Sequence, residues 1–291
     1  MDSQVSFFEG ANKLKITKPI RLIELFAGIG AQAKALENLG VALEHYRICE
    51  FDKYAVMSYN AIHGTDFEPS DITQITADDL GVTDTDEYCY IMTYSFPCQD
   101  LSNAGLKRGM KQGTRSGLLW EVERVLNEMT EKPQILLMEN VPQVIGQKNI
   151  ADFAEWVNVL ERMGYKNKWA ILNAKDYGVP QTRARCFMVS WQGDYYYDFP
   201  EKRPLAECFA DRLDKEVDAS YYLTDQTVEV NEKHYQRHKE LGHGFGWNPI
   251  PCGEAATHTH THTRRYAPTL LTKRDRQASI YIALPVHRKI P

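Results

Sequence analysis

The sequence has no Cys-x-x-Cys pair, no complete G-x-G-x-x-G, no internal repeat and no surplus of positive charge. Its apolar runs all fall well short of the about 20 residues that cross a membrane, so no membrane partner is expected. The six cysteines (Cys49, Cys89, Cys98, Cys186, Cys208 and Cys252) are scattered, which argues against a zinc ribbon or a disulfide scaffold. Met1 to Gly10 is acidic and mixed, without the order of a signal peptide, so a cytoplasmic protein is expected. Net charge is −5, which as a whole-chain number counts mildly against a nucleic-acid partner. Binding needs only a basic face, and basic clusters occur at Lys107, Arg108, Lys111 and Arg115, at Arg183 and Arg185, and from Arg264 to Arg276. Each reads equally as a solvated surface.

What is present is ordinary in bulk: 291 residues, 43% hydrophobic and 25% charged, enough for one large domain or one domain plus a smaller one. The stretch that organises the rest is Ser95-Phe96-Pro97-Cys98-Gln99-Asp100-Leu101-Ser102. It follows the apolar run Tyr88–Tyr94, which reads as a buried strand. Pro97 cannot donate to a sheet ladder, so the strand stops and Cys98 falls on the first turn beyond its carboxyl end. There open α/β sheets place their chemistry. Cys98 reads either as a nucleophilic thiolate or as the small buried hydrophobe that free cysteines commonly are.

Upstream, the strand Ile20–Phe26 runs through Ala27-Gly28-Ile29-Gly30-Ala31 into a helix that ends by Gly40. Strand, glycine turn and helix open a Rossmann-type unit. The turn is shorter than the dinucleotide fingerprint and suggests a nucleoside-type group without pyrophosphate, such as S-adenosylmethionine. A second strand, Ala42–Phe51, carries Glu50 at its tip, about 20 positions on, where a ribose is gripped. Asp71-Ile72-Thr73 reads as facing an adenine, or as a helix cap or plain loop. Leu101–Gly113 is a glycine-spaced basic loop suited to close over a polyanion, and Ser116–Glu128 reads as an amphipathic helix.

Pro133–Met138 is a continuous apolar strand of the parallel-sheet type, ending in Glu139-Asn140-Val141-Pro142. A carboxylate there is costly unless paired or functional, and burial would raise its pKa and keep it protonated near neutral pH. Further on come a helix at Ile150–Met163, a strand at Lys168–Leu172, and Gln181-Thr182-Arg183-Ala184-Arg185 leading into a strand at Cys186–Trp191. Strand alternation puts Arg183 and Arg185 on one face. Alternating strands and helices specify a doubly wound α/β sheet. The character changes near residue 193 to a polar, aromatic stretch. In it His258, His260 and His262 alternate with threonines. They read as a polar loop or edge strand more readily than as a metal site, for lack of Cys or acidic partners, and no metal centre is expected.

Together these motifs resemble the DNA cytosine-5 methyltransferases. The blocks are Phe26-Ala27-Gly28-Ile29-Gly30, Pro97-Cys98-Gln99 with Ser102 and Gly105, Glu139-Asn140-Val141, Gln181-x-Arg183-x-Arg185, and Ala267-Pro268-Thr269-Leu270. The resemblance implies a doubly wound, Rossmann-like sheet of the S-adenosylmethionine-dependent methyltransferases. Residues 1–192 would bind cofactor and carry catalysis, 193–266 would form a small irregular target-recognition region, and 267–291 would return toward the catalytic domain. It implies S-adenosylmethionine held by Phe26, Ala27, Gly28, Gly30, Glu50, Phe51, Asp71, Ile72, Pro97 and Leu118. It implies catalysis by Cys98, Glu139, Arg183 and Arg185, and contacts to double-stranded DNA from Gln99, Ser102, Lys107, Arg108, Arg115, Gln181 and Thr269. A bacterial or phage-infected cell would be its setting.

The family continues past the late motif into a helix and a Gly-Asn motif, whereas this sequence stops at Arg288-Lys289-Ile290-Pro291. The resemblance therefore implies a fragment, a degenerate copy, or one half of a two-chain enzyme whose second polypeptide supplies the helix. A tRNA cytosine methyltransferase shares the motifs, but the Cys-Phe-Thr tripeptide of that branch is missing. A catalytically incomplete DNA-binding subunit is the other alternative.

Overall fold

The computed structural model describes residues 12–98, 116–179, 181–205 and 224–241. In chain order the strands and helices are β1 (Asn12–Lys13), β2 (Ile20–Leu25), α1 (Ala31–Asn38), β3 (Leu43–Cys49), α2 (Lys53–His63), α3 (Ala77–Leu80), β4 (Cys89–Tyr94), α4 (Leu119–Glu128), β5 (Ile135–Asn140), α5 (Ile150–Arg162), β6 (Lys166–Asn173), β7 (Ala184–Trp191), β8 (Tyr195–Tyr196) and α6 (Asp225–Glu240). A six-stranded sheet runs in the order β3-β2-β4-β5-β7-β6, and β1 pairs with β8 apart from it. β3, β2, β4 and β5 are parallel, whereas β7 is antiparallel to β5. This is the α/β sheet expected from the sequence, with one strand reversed.

Strand alternation divides the core in two. Ile23 and Leu25 of β2 join Tyr90, Met92 and Tyr94 of β4, Leu136 and Met138 of β5, and the apolar faces of α4 and α5. Ile20 and Leu22 turn the other way, with Ile91, Ile135 and Val189, onto Ala33 of α1 and Val56 and Tyr59 of α2. Helices cover both faces, which is why β4 is buried at all six positions. The helix ends follow ordinary capping chemistry. Asp52 accepts from the amides of Tyr54 and Ala55 at the start of α2, and Gly64 closes that helix in the left-handed region.

β2 lies in mid-sheet, with β3 on one side and β4 on the other. The crevice between β2 and β4 at their carboxyl ends is thus the switch point where such sheets bind ligands. Register sets the strand ends level: Leu25 pairs with Tyr94 and Tyr94 with Met138. Phe26, Ser95 and Glu139 therefore stand in one row along that edge.

The described residues form two compact units. One holds the described residues up to 172 together with 185–200. The other holds 173–184, 201–205 and 224–241. In the second, a single helical turn follows β6, Tyr177 bridges to Arg203, and Asp176 pairs with Lys202 at 2.9 Å. Thr224 caps α6. Gln99, Ser102, Lys107, Arg108, Arg115, Thr269, the three histidines at 258–262 and the expected return segment 267–291 all lie outside the described residues.

Candidate active site

The turn after β2 is built from backbone geometry that few side chains permit. Phe26 adopts φ 57°, an unusual conformation for a bulky residue. It is held there by two bonds into the end of β3: the amides of Phe26 and Ala27 donate to the Cys49 carbonyl at 2.7 and 3.3 Å. Gly28 (φ 56°) and Gly30 (φ 80°) follow in the left-handed region, where glycine alone is unstrained. The Gly28 amide donates to Glu50 Oε2 at 2.9 Å, and Glu50 Oε1 accepts the Asp52 amide at 3.0 Å. The carboxylate at the tip of β3 is therefore fixed against the turn. A Cβ on Gly28 would meet nothing within 4 Å, so open space lies above the turn. Phe51, next to Glu50, is 79% exposed. A tight turn facing open space, an oriented carboxylate and an exposed ring fit an adenosine-type group.

Asp71 is placed beside this set but acts locally. Its Oδ1 accepts from the amide and hydroxyl of Thr73 at 2.9 and 3.0 Å. The turn is tied down on both sides. The Ser70 amide donates to the Glu50 carbonyl at 2.9 Å, and Arg124 of α4 donates to the carbonyls of Ile72 and Ile75 at 2.9 and 3.0 Å. Ile72 is buried, and Leu118 packs against the same core at the start of α4.

Cys98 is a half-buried free thiol. Each of the three residues before it is pinned to a different element. Ser95 Oγ accepts from Gln32 of α1 at 3.0 Å, the Phe96 carbonyl accepts from Asn140 Nδ2 of β5 at 3.0 Å, and the Pro97 carbonyl accepts from Ser116 Oγ at 2.7 Å. Phe96 itself is 2% exposed. The backbone is thus fixed up to the residue that carries the thiol.

Glu139 lies inside β5, not past its end, and is neither sealed nor alone. Its Oε1 meets Arg185 Nε at 2.9 Å, with both side chains about one-fifth exposed (21% and 22%). The partner comes from the antiparallel β7, in which Phe187 pairs with Glu139 and which carries a guanidinium to the same face. The structure thus joins Glu139 to Arg185, with Cys98 on the loop that follows the neighbouring strand β4. Arg183 precedes β7 rather than sharing its alternation. It belongs to the second unit, where its amide donates to Asn173 Oδ1 at 3.0 Å. Gln181 is in that unit too, its amide bonded to the Val179 carbonyl at 2.7 Å.

Four positioning residues are not apparent from the motifs: Gln32, Ser116, Asn140 and Glu24. Asn140 sits within a recognisable block, yet its partner is a carbonyl 44 residues away. Glu24 is fully buried in β2, accepting from the Ala33 amide at 3.2 Å and from the Tyr59 hydroxyl at 2.6 Å. An acidic letter inside an otherwise apolar strand was the signal available for it.

A family model for the C-5 cytosine-specific DNA methylases matches residues 20–285. The chain is 32% identical over 246 residues to the type II methyltransferase M.DsaV of Dactylococcopsis salina, covering 83% of this chain and 67% of that protein. It is 33% identical over 240 residues to M.NlaX of Neisseria lactamica, covering 82% and 74%. With M.HpaII of Haemophilus parainfluenzae the identity is 34% over 257 residues, covering 86% and 68%. Among solved structures, the Dnmt2 methyltransferase of S. pombe superposes with a TM-score of 0.63 at 21% identity, covering 88% of this chain and 77% of that one; this is a likeness of fold. The matched span takes in every block from Phe26 to Thr269, and the chain belongs to the family of C-5 cytosine-specific DNA methylases.

Proposed function

We propose that the chain methylates cytosine in DNA at carbon 5 through a covalent adduct on Cys98, with Glu139 and Arg185 acting on the ring. The class of reaction comes with the family; the roles of the residues are our reading. The observation that supports it lies at the carboxyl edge of the sheet: a thiol on the loop after β4 whose preceding residues are pinned three ways, and a carboxylate–guanidinium pair on the neighbouring strands β5 and β7.

Cytosine carbon 5 is a poor nucleophile. Addition of the Cys98 thiolate at carbon 6 makes carbon 5 enamine-like, and splitting one hard step into two easier ones is the gain of covalent catalysis. Glu139 contacts ring nitrogen 3 and the exocyclic amine, favouring the ring that accepts the thiolate. Arg185 orients Glu139 and binds the base oxygen. The Phe26–Gly30 turn, Glu50 and Phe51 would hold S-adenosylmethionine, whose sulfonium methyl would pass to carbon 5 as the sulfur–methyl bond breaks and a neutral thioether leaves. Carbon 5 then loses its proton to water, the bond between Cys98 sulfur and carbon 6 breaks, and the thiolate returns. The base leaves the duplex to reach the thiol, at roughly a few kcal/mol.

The test is Cys98→Ser with duplex DNA containing 5-fluorocytosine. Wild type should form an adduct that survives denaturation, because the fluorine at carbon 5 cannot leave as a proton does. The variant should form none and transfer no methyl group while still binding S-adenosylmethionine. Undiminished methylation by Cys98→Ser would overturn the proposal.

A further inference from the structure

Behind the cofactor turn, three side chains from three elements converge. They are Glu37 near the end of α1, His45 in β3 and His63, the last residue of α2. Glu37 Oε1 lies 2.6 Å from His63 Nδ1 and 3.2 Å from His45 Nε2. The three facing atoms all fall within 4.8 Å of one another, and the two rings stand 4.9 Å apart, centroid to centroid. The His63 side chain is fully buried, His45 is 15% exposed and Glu37 26%, so the cluster opens to solvent on the glutamate side.

The outer atoms decide what the inner ones can do. His63 Nε2 is 3.2 Å from the Ile29 carbonyl. A carbonyl only accepts, so Nε2 carries a proton. His45 Nδ1 is 3.0 Å from the Tyr59 hydroxyl, which is itself bonded to Glu24. That leaves the two inner ring nitrogens, His63 Nδ1 and His45 Nε2, facing the same Glu37 oxygen.

We infer that Glu37, His45 and His63 bind a divalent transition-metal ion of the zinc type, with solvent completing the coordination. Two imidazole nitrogens and one carboxylate oxygen are a donor set that zinc takes. Every ligand already has the outer partner that such sites use: His45 on Tyr59 and Glu24, His63 on the Ile29 carbonyl, and Glu37 Oε2 on Lys34 Nζ at 2.6 Å. Metal bonds of about 2.0–2.2 Å ask the closest pair of donor atoms to separate by less than about 1 Å. The ion would tie the ends of α1 and α2 to the edge strand β3. It would also stiffen the cofactor turn, because His63 lies directly under Gly30, where a Cβ would come within 2.3 Å of Nε2. Its role is structural: none of the three ligands belongs to the row that carries Cys98.

The full chain, stripped with chelator, should bind one equivalent of Zn2+ by calorimetry and melt higher with it, while Mg2+ does neither. Co2+ in its place should give the visible bands of a tetrahedral site without a thiolate charge-transfer band, which separates this cluster from cysteine ligation. Glu37→Gln and His45→Gln should each weaken Zn2+ by at least about tenfold. The triple change His258→Ala, His260→Ala, His262→Ala should leave affinity unchanged. Absence of stoichiometric Zn2+ binding by wild type would overturn the inference. So would a thiolate band, or binding lost in the triple variant and kept in Glu37→Gln. Should His45→Gln not fold, Glu37→Gln and the cobalt spectrum of the wild type decide alone.

Discussion

Glu24 is an acid where a parallel strand has no water to offer. Burial pushes its carboxyl up to about 7, against the lowering effect of the Tyr59 hydroxyl and the Ala33 amide. The folded protein therefore keeps a proton that the unfolded chain gives up near 4.5. Between those values folding takes up a proton, so the stability contributed by this group is present below the window and is lost as pH rises through it. The loss is on the order of 3 kcal/mol. Glu24→Gln should remove it, so denaturant midpoints that fall between about pH 5 and about pH 7.5 in wild type should change less in the variant. An equal fall in both would assign the pH dependence to other groups. Glu139 is the opposite case, partly exposed and paired to Arg185. Glu139→Gln keeps the shape but not the charge, and should slow methyl transfer by roughly a hundredfold or more at unchanged S-adenosylmethionine affinity. Normal turnover with a lower melting temperature would make the residue structural. The place of Glu50 at the strand tip was legible because it is local information. Glu24 was not, because its partners lie 9 and 35 residues away and nothing in a lone acidic letter names them.

The β2–α1 turn separates two roles that the glycines share in sequence. Gly30 has φ 80°, and a Cβ there would meet His63 Nε2 at 2.3 Å and Tyr59 Cε2 at 2.6 Å, whereas Gly28 has φ 56° and open space. Gly30→Ala should therefore lower stability by overpacking, typically about 1–3 kcal/mol, on top of the strain at positive φ. Gly28→Ala should carry chiefly that backbone strain, about 1–2 kcal/mol, while blocking the space the cofactor needs. Chemical denaturation and calorimetry with S-adenosylmethionine separate the two. Equal stability losses, or full cofactor affinity in Gly28→Ala, would contradict this division. The strands and helices themselves were largely legible, because β2, β4 and β5 are largely buried on both faces and their sequences are mostly apolar. Their ends were not. β5 runs on through Glu139 and Asn140 because they pair with Phe187 and Cys186, and β7 begins two residues earlier, at Ala184. The reversed direction of β7 has no local signature either; it is fixed by pairing between residues from 46 (Asn140 and Cys186) to 56 (Ile135 and Trp191) positions apart.

At the scale of the whole molecule, the open question is how a chain of net charge −5 holds a polyanion. Several cations in the described part are committed elsewhere. Arg185 is paired with Glu139, Arg124 with Glu121 and Glu128, and Arg21 with Glu44 and Asp84. The positive charge next to Cys98 in sequence is the group Lys107, Arg108, Lys111 and Arg115. If these four make the phosphate contacts, the logarithm of affinity should fall with the logarithm of salt at a slope of roughly −0.9 for each contact. Binding to an arbitrary duplex should then weaken on the order of a hundredfold between about 50 and 200 mM salt. The double change Lys107→Ala, Arg108→Ala should flatten that slope by roughly 2 and leave S-adenosylmethionine affinity as it was, since neither residue is assigned to the cofactor turn. Fluorescence anisotropy over a salt series reads both quantities. A slope untouched by the double change would move the contacts to the other basic cluster, Arg264, Arg265, Lys273, Arg274 and Arg276. The glycine-spaced loop would then have to act on the flipped base by its backbone and shape, not by its charge.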